Sequence, residues 1–249
     1  MMKSTVDTFT PFDPDNETGY LAWREQKLHP YPENIEDLIV EVKDPARLTK
    51  VEHAAIHARC RKTNMAIYAG PGGSDPDKAI PKALGEQFGL TQLDRTMGAD
   101  DDGVTALKVV EGEWRNTYIP YTNRPIHWHT DGYYNTATEQ IRGLILHCLS
   151  PAARGGENAL LDHEIAYIHL RDANPDYIRA LMKTDAMTIP ANIREGEEIR
   201  PARSGPVFSV LADGTLHLRY TARTRSIEWS AEPATQAAVK TLVAFLDSP

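Results

Sequence analysis

Cysteine is scarce in this chain. There are two in 249 residues, Cys60 and Cys148, and neither belongs to a CxxC pair. That argues against a disulfide framework and against a cysteine-rich zinc site. Cys148 closes an apolar run and is expected in the core, where free cysteine usually sits. Long apolar stretches are missing too: the run around Leu144, Ile145 and Leu146 is far short of the roughly 20 residues that span a bilayer. The N-terminal MMKSTVDTFTPFDPDN has no apolar h-region, so a cytoplasmic protein without membrane contact is expected. Positive charge is in deficit, 27 Lys and Arg against 35 Asp and Glu, for a net charge of -8. Such a balance disfavours a nucleic-acid partner but leaves room for a local basic pocket. No internal repeat or low-complexity tract appears.

What is present reads as one α+β domain. Hydrophobic residues make up 41% and charged residues 25%, ordinary values for a globular fold. Residues 1–103 look helix-rich. After an irregular arm (1–16), helices are expected over 17–28, 48–61 and 78–88, and strands over 35–42 and 65–70. Leu48, Val51, Ala55 and Ile56 are expected to share the buried side of the second helix. The segment 71–77 reads as a loop and the acidic run at 98–103 as a solvated turn. From residue 104 the texture changes to short strands: 106–113, 116–121, 127–135, 141–150, 157–163, 185–190, 206–211 and 215–223. Gly, Pro, Asn and Asp turns separate them. Asp213-Gly214 marks a hairpin. Helices at 163–172, 175–184 and 231–247 interrupt or follow the strands. Helices leading into many short strands favour a double-sheet jelly roll with N-terminal and inserted helices.

The stretch that carries chemistry is Pro125 to Asn135, PIHWHTDGYYN. In an extended strand His129 and Asp131 face the same way, close enough to share one ion. An imidazole and a carboxylate suit iron(II) and leave positions open for a chelating cosubstrate and oxygen once a second histidine joins. With nine histidines in the chain, chance supplies His-x-Asp in about half of comparable sequences, so the spacing alone is weak. Tyr133 and Tyr134 follow directly and are candidates to line a substrate pocket. Arg219, Thr221, Arg223 and Arg225 alternate along 219–229. They read either as a solvated strand edge or as a face that recognises an anion, with Arg223 the substrate candidate.

The context is more specific. WHTDGYYN is followed by the apolar IRGLILHCLS, then Pro151, then GGENALLDHEIAY (155–167). This ordered set resembles the TauD/TfdA family of iron(II)/2-oxoglutarate-dependent dioxygenases, most clearly over residues 105–185. The resemblance implies a double-stranded β-helix (jelly roll) spanning 1–249 as a single domain. It implies His129 and Asp131 as metal ligands and catalytic residues, and Asn158 as the residue that steadies 2-oxoglutarate, at a position where the family usually has threonine. It further implies hydroxylation of an unactivated C–H bond of a small, anionic or zwitterionic substrate, with O2 consumed and succinate and CO2 released. A homo-oligomer is compatible with this. The family's distal histidine and its 2-oxoglutarate-binding arginine are expected beyond Pro249, so the jelly-roll part (104–249) reads as C-terminally incomplete. His217 is the best internal substitute for the distal ligand, although a plain strand role suits it better. His147 is expected in the core, and His163 and His169 in surface or packing roles. Two other readings compete: a catalytically inactive jelly-roll binding protein, and a zinc hydrolase using His127, His129 and Asp131, in which Gly132 stands where a further histidine is required.

Overall fold

A computed structural model describes residues 10–70, 78–94, 103–110, 118–223 and 227–248. Residues 1–9 of the arm, the 71–77 loop, most of the acidic run and Arg225 lie outside the described residues. The chain divides into two compact units that interleave along the sequence. One takes residues up to Pro30, His127–Gln140 and His163 onward; the other takes Tyr31–Ile126 and Ile141–Asp162. No described helix is long and apolar enough to cross a membrane.

The first unit begins with an arm that leads into α1 (Glu17–Leu28). Asn16 caps α1 by accepting the Gly19 N–H at 2.9 Å. His29-Pro30 follows the helix, as a proline-directed stop requires. The arm is held by two buried side chains of α4 (His163–Ala173), Tyr167, whose hydroxyl donates to the Phe12 carbonyl at 3.2 Å, and Arg171. Arg171 makes more of the contacts. Its guanidinium donates to the carbonyls of Pro11 (3.0 Å), Asp13 (3.2 Å) and Asn16 (3.3 Å), and it lies 4.0 Å from the centre of the Tyr20 ring. Backbone carbonyls thus replace the water that a buried guanidinium would otherwise lose. α4, α5 (Pro175–Leu181) and α6 (Pro233–Leu246) pack on one another through Leu170, Ile178, Leu181, Ala238 and Leu242. Asn174 caps α5 and Pro175 fills its first turn, where a missing N–H costs nothing.

The same unit carries the one three-stranded sheet among the described residues. β3 (Met187–Ile189) lies between β6 (Arg203–Gly205) and β9 (Glu228–Trp229), antiparallel to both. β4 (Asn192–Arg194) and β5 (Glu197–Arg200) form a hairpin, as do β7 (Phe208–Val210) and β8 (Leu216–Leu218). The β7–β8 turn falls at Asp213-Gly214, as the dipeptide predicts, with Gly214 at φ +82°. The β4–β5 hairpin was not legible in sequence. Its turn, Glu195-Gly196, has positive φ at both residues (54° and 86°), the geometry of a type I′ turn, but Glu-Gly is not among the dipeptides that announce one.

In the second unit β1 (Ile39–Glu41) and β2 (Ile67–Ala69) pair in parallel, with α2 (Lys50–Thr63) between them in sequence. α3 (Ala79–Gln87) follows. Thr49 and Glu52 form a reciprocal capping box that starts α2, and Asn64 ends it at φ 58°. Val40, Val42 and Ile56 form a core with Leu48, Ala55, Tyr68 and Phe88 packed around it.

Several expectations need correction. Residues 35–42 are not one strand: Ile35–Leu38 is a 3-10 turn capped by Asn34, and only Ile39–Glu41 is extended. Val51 is 79% exposed, because the buried side of α2 runs through Glu52, Ile56 and Thr63. Residues 141–150 form no ladder among the described residues, and Leu144, Leu146 and Cys148 are exposed. Cys148 is therefore not a core residue; in this extended segment Ile145 and His147 are half-buried instead. The described ladders are mixed with helices and comprise sheets of two or three strands.

Candidate metal centre

His129 sits on a single antiparallel bridge rather than in a long strand. Thr130 N–H donates to the Tyr220 carbonyl at 2.9 Å, and Ala222 N–H donates to the Trp128 carbonyl at 2.8 Å. These two bonds flank the His129–Thr221 pair and make it the non-hydrogen-bonded kind, in which side chains on one face approach most closely. Thr221 is buried. The basic segment read from sequence as an alternating strand is therefore the template on which His129 rests.

The imidazole is oriented from behind. Nδ1 lies 2.8 Å from the His127 carbonyl oxygen, which can only accept. Nδ1 therefore donates there, which leaves Nε2, on the outer side, as the nitrogen available to a metal. Nε2 is 3.4 Å from Asp131 Oδ1. A carbonyl behind the imidazole fixing its tautomer is the arrangement used by metal-ligating histidines. The two side chains are 30% and 52% exposed, so an ion could reach them. With no ion bound, Asp131 raises the His129 pKa through its hydrogen bond; burial opposes this, and the His127 carbonyl adds to the rise.

Asp131 is placed by a turn, not by strand alternation. Gly132 at φ 64° reverses the chain directly after it, and Asn135 N–H closes on the Gly132 carbonyl at 2.8 Å. A Cβ at Gly132 would be strained in that conformation. Tyr133 and Tyr134 follow on the same turn, their rings edge-on with centroids 5.1 Å apart. The turn is fastened by Arg219, whose Nε donates to the Tyr133 carbonyl at 2.7 Å.

Other predicted residues fall elsewhere. Arg223 is exposed, beyond the bridge, with its backbone N–H on Thr221 Oγ1. Asn158 belongs to the second unit, exposed just past Gly155 and Gly156 (φ 67° and 83°), with its Nδ2 on the Gly156 carbonyl at 3.4 Å. His127 is exposed and contributes its carbonyl to His129, not its ring. His217 lies on β8, 3.4 Å from Gln140 Nε2. His147 accepts or donates at 2.6 Å with the Tyr68 hydroxyl, His163 holds the Leu216 carbonyl, and His169 stacks on Phe245. Among the described residues no group of three His, Cys, Asp or Glu side chains converges on one point. His129 and Asp131 thus supply one nitrogen and one oxygen donor, a pair whose chemistry fits iron(II) and leaves further positions to be filled.

Arg219 and Thr221 are the positions that sequence reading undervalued. Their alternation was visible, but a solvated edge was the simpler account. The structure buries both.

A bridge-held histidine, a following carboxylate on a glycine turn and the Gly-Gly segment agree with what the comparison with protein families returns. Residues 40–249 match the model of the taurine catabolism dioxygenase TauD, TfdA family, and the chain belongs to that family. Among curated relatives it is similar to a uridine-5'-phosphate dioxygenase of Amycolatopsis sp, 36% identical over 107 residues, covering 43% of this chain and 38% of the relative. A second uridine-5'-phosphate dioxygenase, of Streptomyces sp, is 31% identical over 143 residues, covering 55% of this chain and 49% of the relative. The matches thus span less than half the length of either relative. No solved structure matches.

Proposed function

We propose that this protein is an iron(II)- and 2-oxoglutarate-dependent dioxygenase that hydroxylates a C–H bond of a small anionic substrate, with His129 and Asp131 as two of its metal ligands. The observation that carries the reading is the fixed tautomer of His129. Its Nδ1–H is committed to the His127 carbonyl, which leaves Nε2, beside Asp131 Oδ1, as the nitrogen available to a metal once its proton is displaced. Family membership supports the cosubstrate, and the names of the two relatives make a nucleoside 5'-phosphate the leading substrate class. The same membership supports a single jelly-roll domain as the full architecture.

When bound, iron(II) with 2-oxoglutarate would supply the oxidising power. The chain's own residues do the positioning. Thr221 backs the imidazole, Gly132 turns the carboxylate toward it, and Arg219 anchors that turn. Asn158 is proposed to hold 2-oxoglutarate, using an amide that both donates and accepts. Tyr133 and Tyr134 are proposed to border the substrate, and Arg223 to attract it.

The test is oxygen-dependent succinate formation from 2-oxoglutarate with iron(II), on the full-length protein. Wild type should turn over only with iron present. His129→Ala and Asp131→Ala should each abolish turnover while keeping the fold. Undiminished succinate formation in the double variant would sink the assignment.

A further inference from the structure

Three arginines gather on one side of the metal turn, and among the described residues no carboxylate forms an ion pair with them. The β3–β6 register pairs Ile189 with Arg203 and Met187 with Gly205. Directly paired residues of an antiparallel ladder share a face, so Arg203 rises from the same face as buried Met187 and Ile189. Gly205 lies two residues on, again on that face. A Cβ there would stand 3.2 Å from Arg219 Nη1, so glycine leaves the space the Arg219 guanidinium fills. Arg219 and Arg203 therefore lie on the same sheet face, within one side-chain repeat of each other. Arg200 reaches the end of β3 from β5, donating to the Pro190 carbonyl at 2.7 Å.

Arg219 is more than nine-tenths buried. It donates to three carbonyls: Tyr133 (2.7 Å), Met187 (3.1 Å) and Arg203 (2.8 Å). A guanidinium has five N–H donors, so two remain. The Arg203 Nε is buried with no hydrogen-bond partner among the described residues. An orphaned buried donor in a native fold calls for an acceptor. Carbonyl dipoles satisfy hydrogen bonds but cancel no net charge. Among the described residues none of the three guanidiniums forms an ion pair with a carboxylate, and each of Arg200 and Arg219 is pushed down in pKa, first by burial and also by a neighbouring arginine. Tyr133 and Tyr134 lie within electrostatic reach of Arg200.

Resting on the dioxygenase reading above, we propose that Arg200, Arg203 and Arg219 form an anion-binding subsite that grips the phosphate of a phosphomonoester substrate, beside the turn that carries Asp131. Clustered guanidiniums match a tetrahedral dianion, which carries enough charge and acceptors for more than one fork. Arg203 presents the free donor, Arg200 closes from the hairpin, and Arg219 both adds charge and ties the subsite to the metal turn through Tyr133.

The test is calorimetric binding to the full-length protein of four probes: uridine 5'-phosphate, uridine, inorganic phosphate and 2-oxoglutarate. Arg203→Gln and Arg200→Gln are compared with wild type, each checked for an unchanged thermal transition. Either variant serves if the other fails to fold. Uridine 5'-phosphate should bind at least tenfold more tightly than uridine. Each variant should lose at least tenfold for uridine 5'-phosphate and leave uridine and 2-oxoglutarate unaffected. Binding of inorganic phosphate that vanishes in the variants sustains the subsite even if no nucleotide binds. Unaltered phosphate and nucleotide binding in the variants, absence of both, or loss of 2-oxoglutarate binding instead, overturns it. Succinate formation, measured separately, reports on the dioxygenase reading by itself.

Discussion

Arg219 Nε donates to the Tyr133 carbonyl at 2.7 Å, so a buried cation on one strand segment holds the turn that presents Asp131. On the proposed reading of Asp131 as a ligand, metal binding and sheet packing are coupled through that one bond. Arg219→Met should leave three carbonyls short of a donor, and each such loss costs about 1–3 kcal/mol when the group stays buried. Expected outcomes are a clear fall in urea midpoint and weaker cobalt(II) binding. Arg219→Lys keeps the charge without the fork and should recover less than half of either loss. A Lys variant with wild-type metal affinity would uncouple the arginine from the site.

Replacing Gly132 by alanine places a Cβ in a left-handed backbone position. The strain should cost about 1 kcal/mol of stability. If the turn relaxes, Asp131 moves off the His129 axis. Cobalt(II) titration should then show a loss of affinity larger than the stability change alone accounts for.

His129 also makes a pH prediction. Its pKa is raised in the metal-free protein, first by the hydrogen bond with Asp131, against the effect of burial. A raised histidine pKa contributes stability that is fully present below the unfolded value, near 6.5, and lost as pH rises through the folded value. Asp131→Asn should therefore destabilise the apoprotein more at pH 5.5 than at pH 8, in denaturant titrations. Metal binding should run the other way, strengthening as pH rises, because the ion must displace a proton from Nε2. Equal affinity at both pH values would place the ion elsewhere.

Arg171 carries a separate prediction for stability. Arg171→Met removes the donor that satisfies several carbonyls of the 11–16 arm and its ring contact with Tyr20. A loss of about 3 kcal/mol is expected from unpaired buried acceptors. Native-state proteolysis should then cut within residues 10–16, which the wild type should resist.

The helices were legible in sequence because periodicity and caps agree locally. The Thr49–Glu52 box and Asn174-Pro175 state their boundaries without reference to the rest of the chain. The proposed ligand pair was legible as residue types, yet its geometry was not: a turn at Gly132 and one bridge bring His129 and Asp131 together, not strand alternation. Residues 141–150 misled because an apolar run names a strand only when a neighbour pairs with it, and pairing is a long-range property. Arg203, which no sequence pattern singled out, was hidden for a similar reason. Arg219, in an alternating basic run, looks solvated until its long-range partners show that it is buried.

The bridge beneath His129 joins segments 90 residues apart, as the Thr130–Tyr220 contact shows. Contacts of that span form only after a long loop has closed, which makes them slow and late. During synthesis the histidine and the aspartate are both made long before the strand segment that orients them. A nascent chain ending before residue 220 would carry both ligands without their template. If His129 and Asp131 hold iron as proposed, capture belongs to completed folding, and topology disfavours premature loading of a half-made chain.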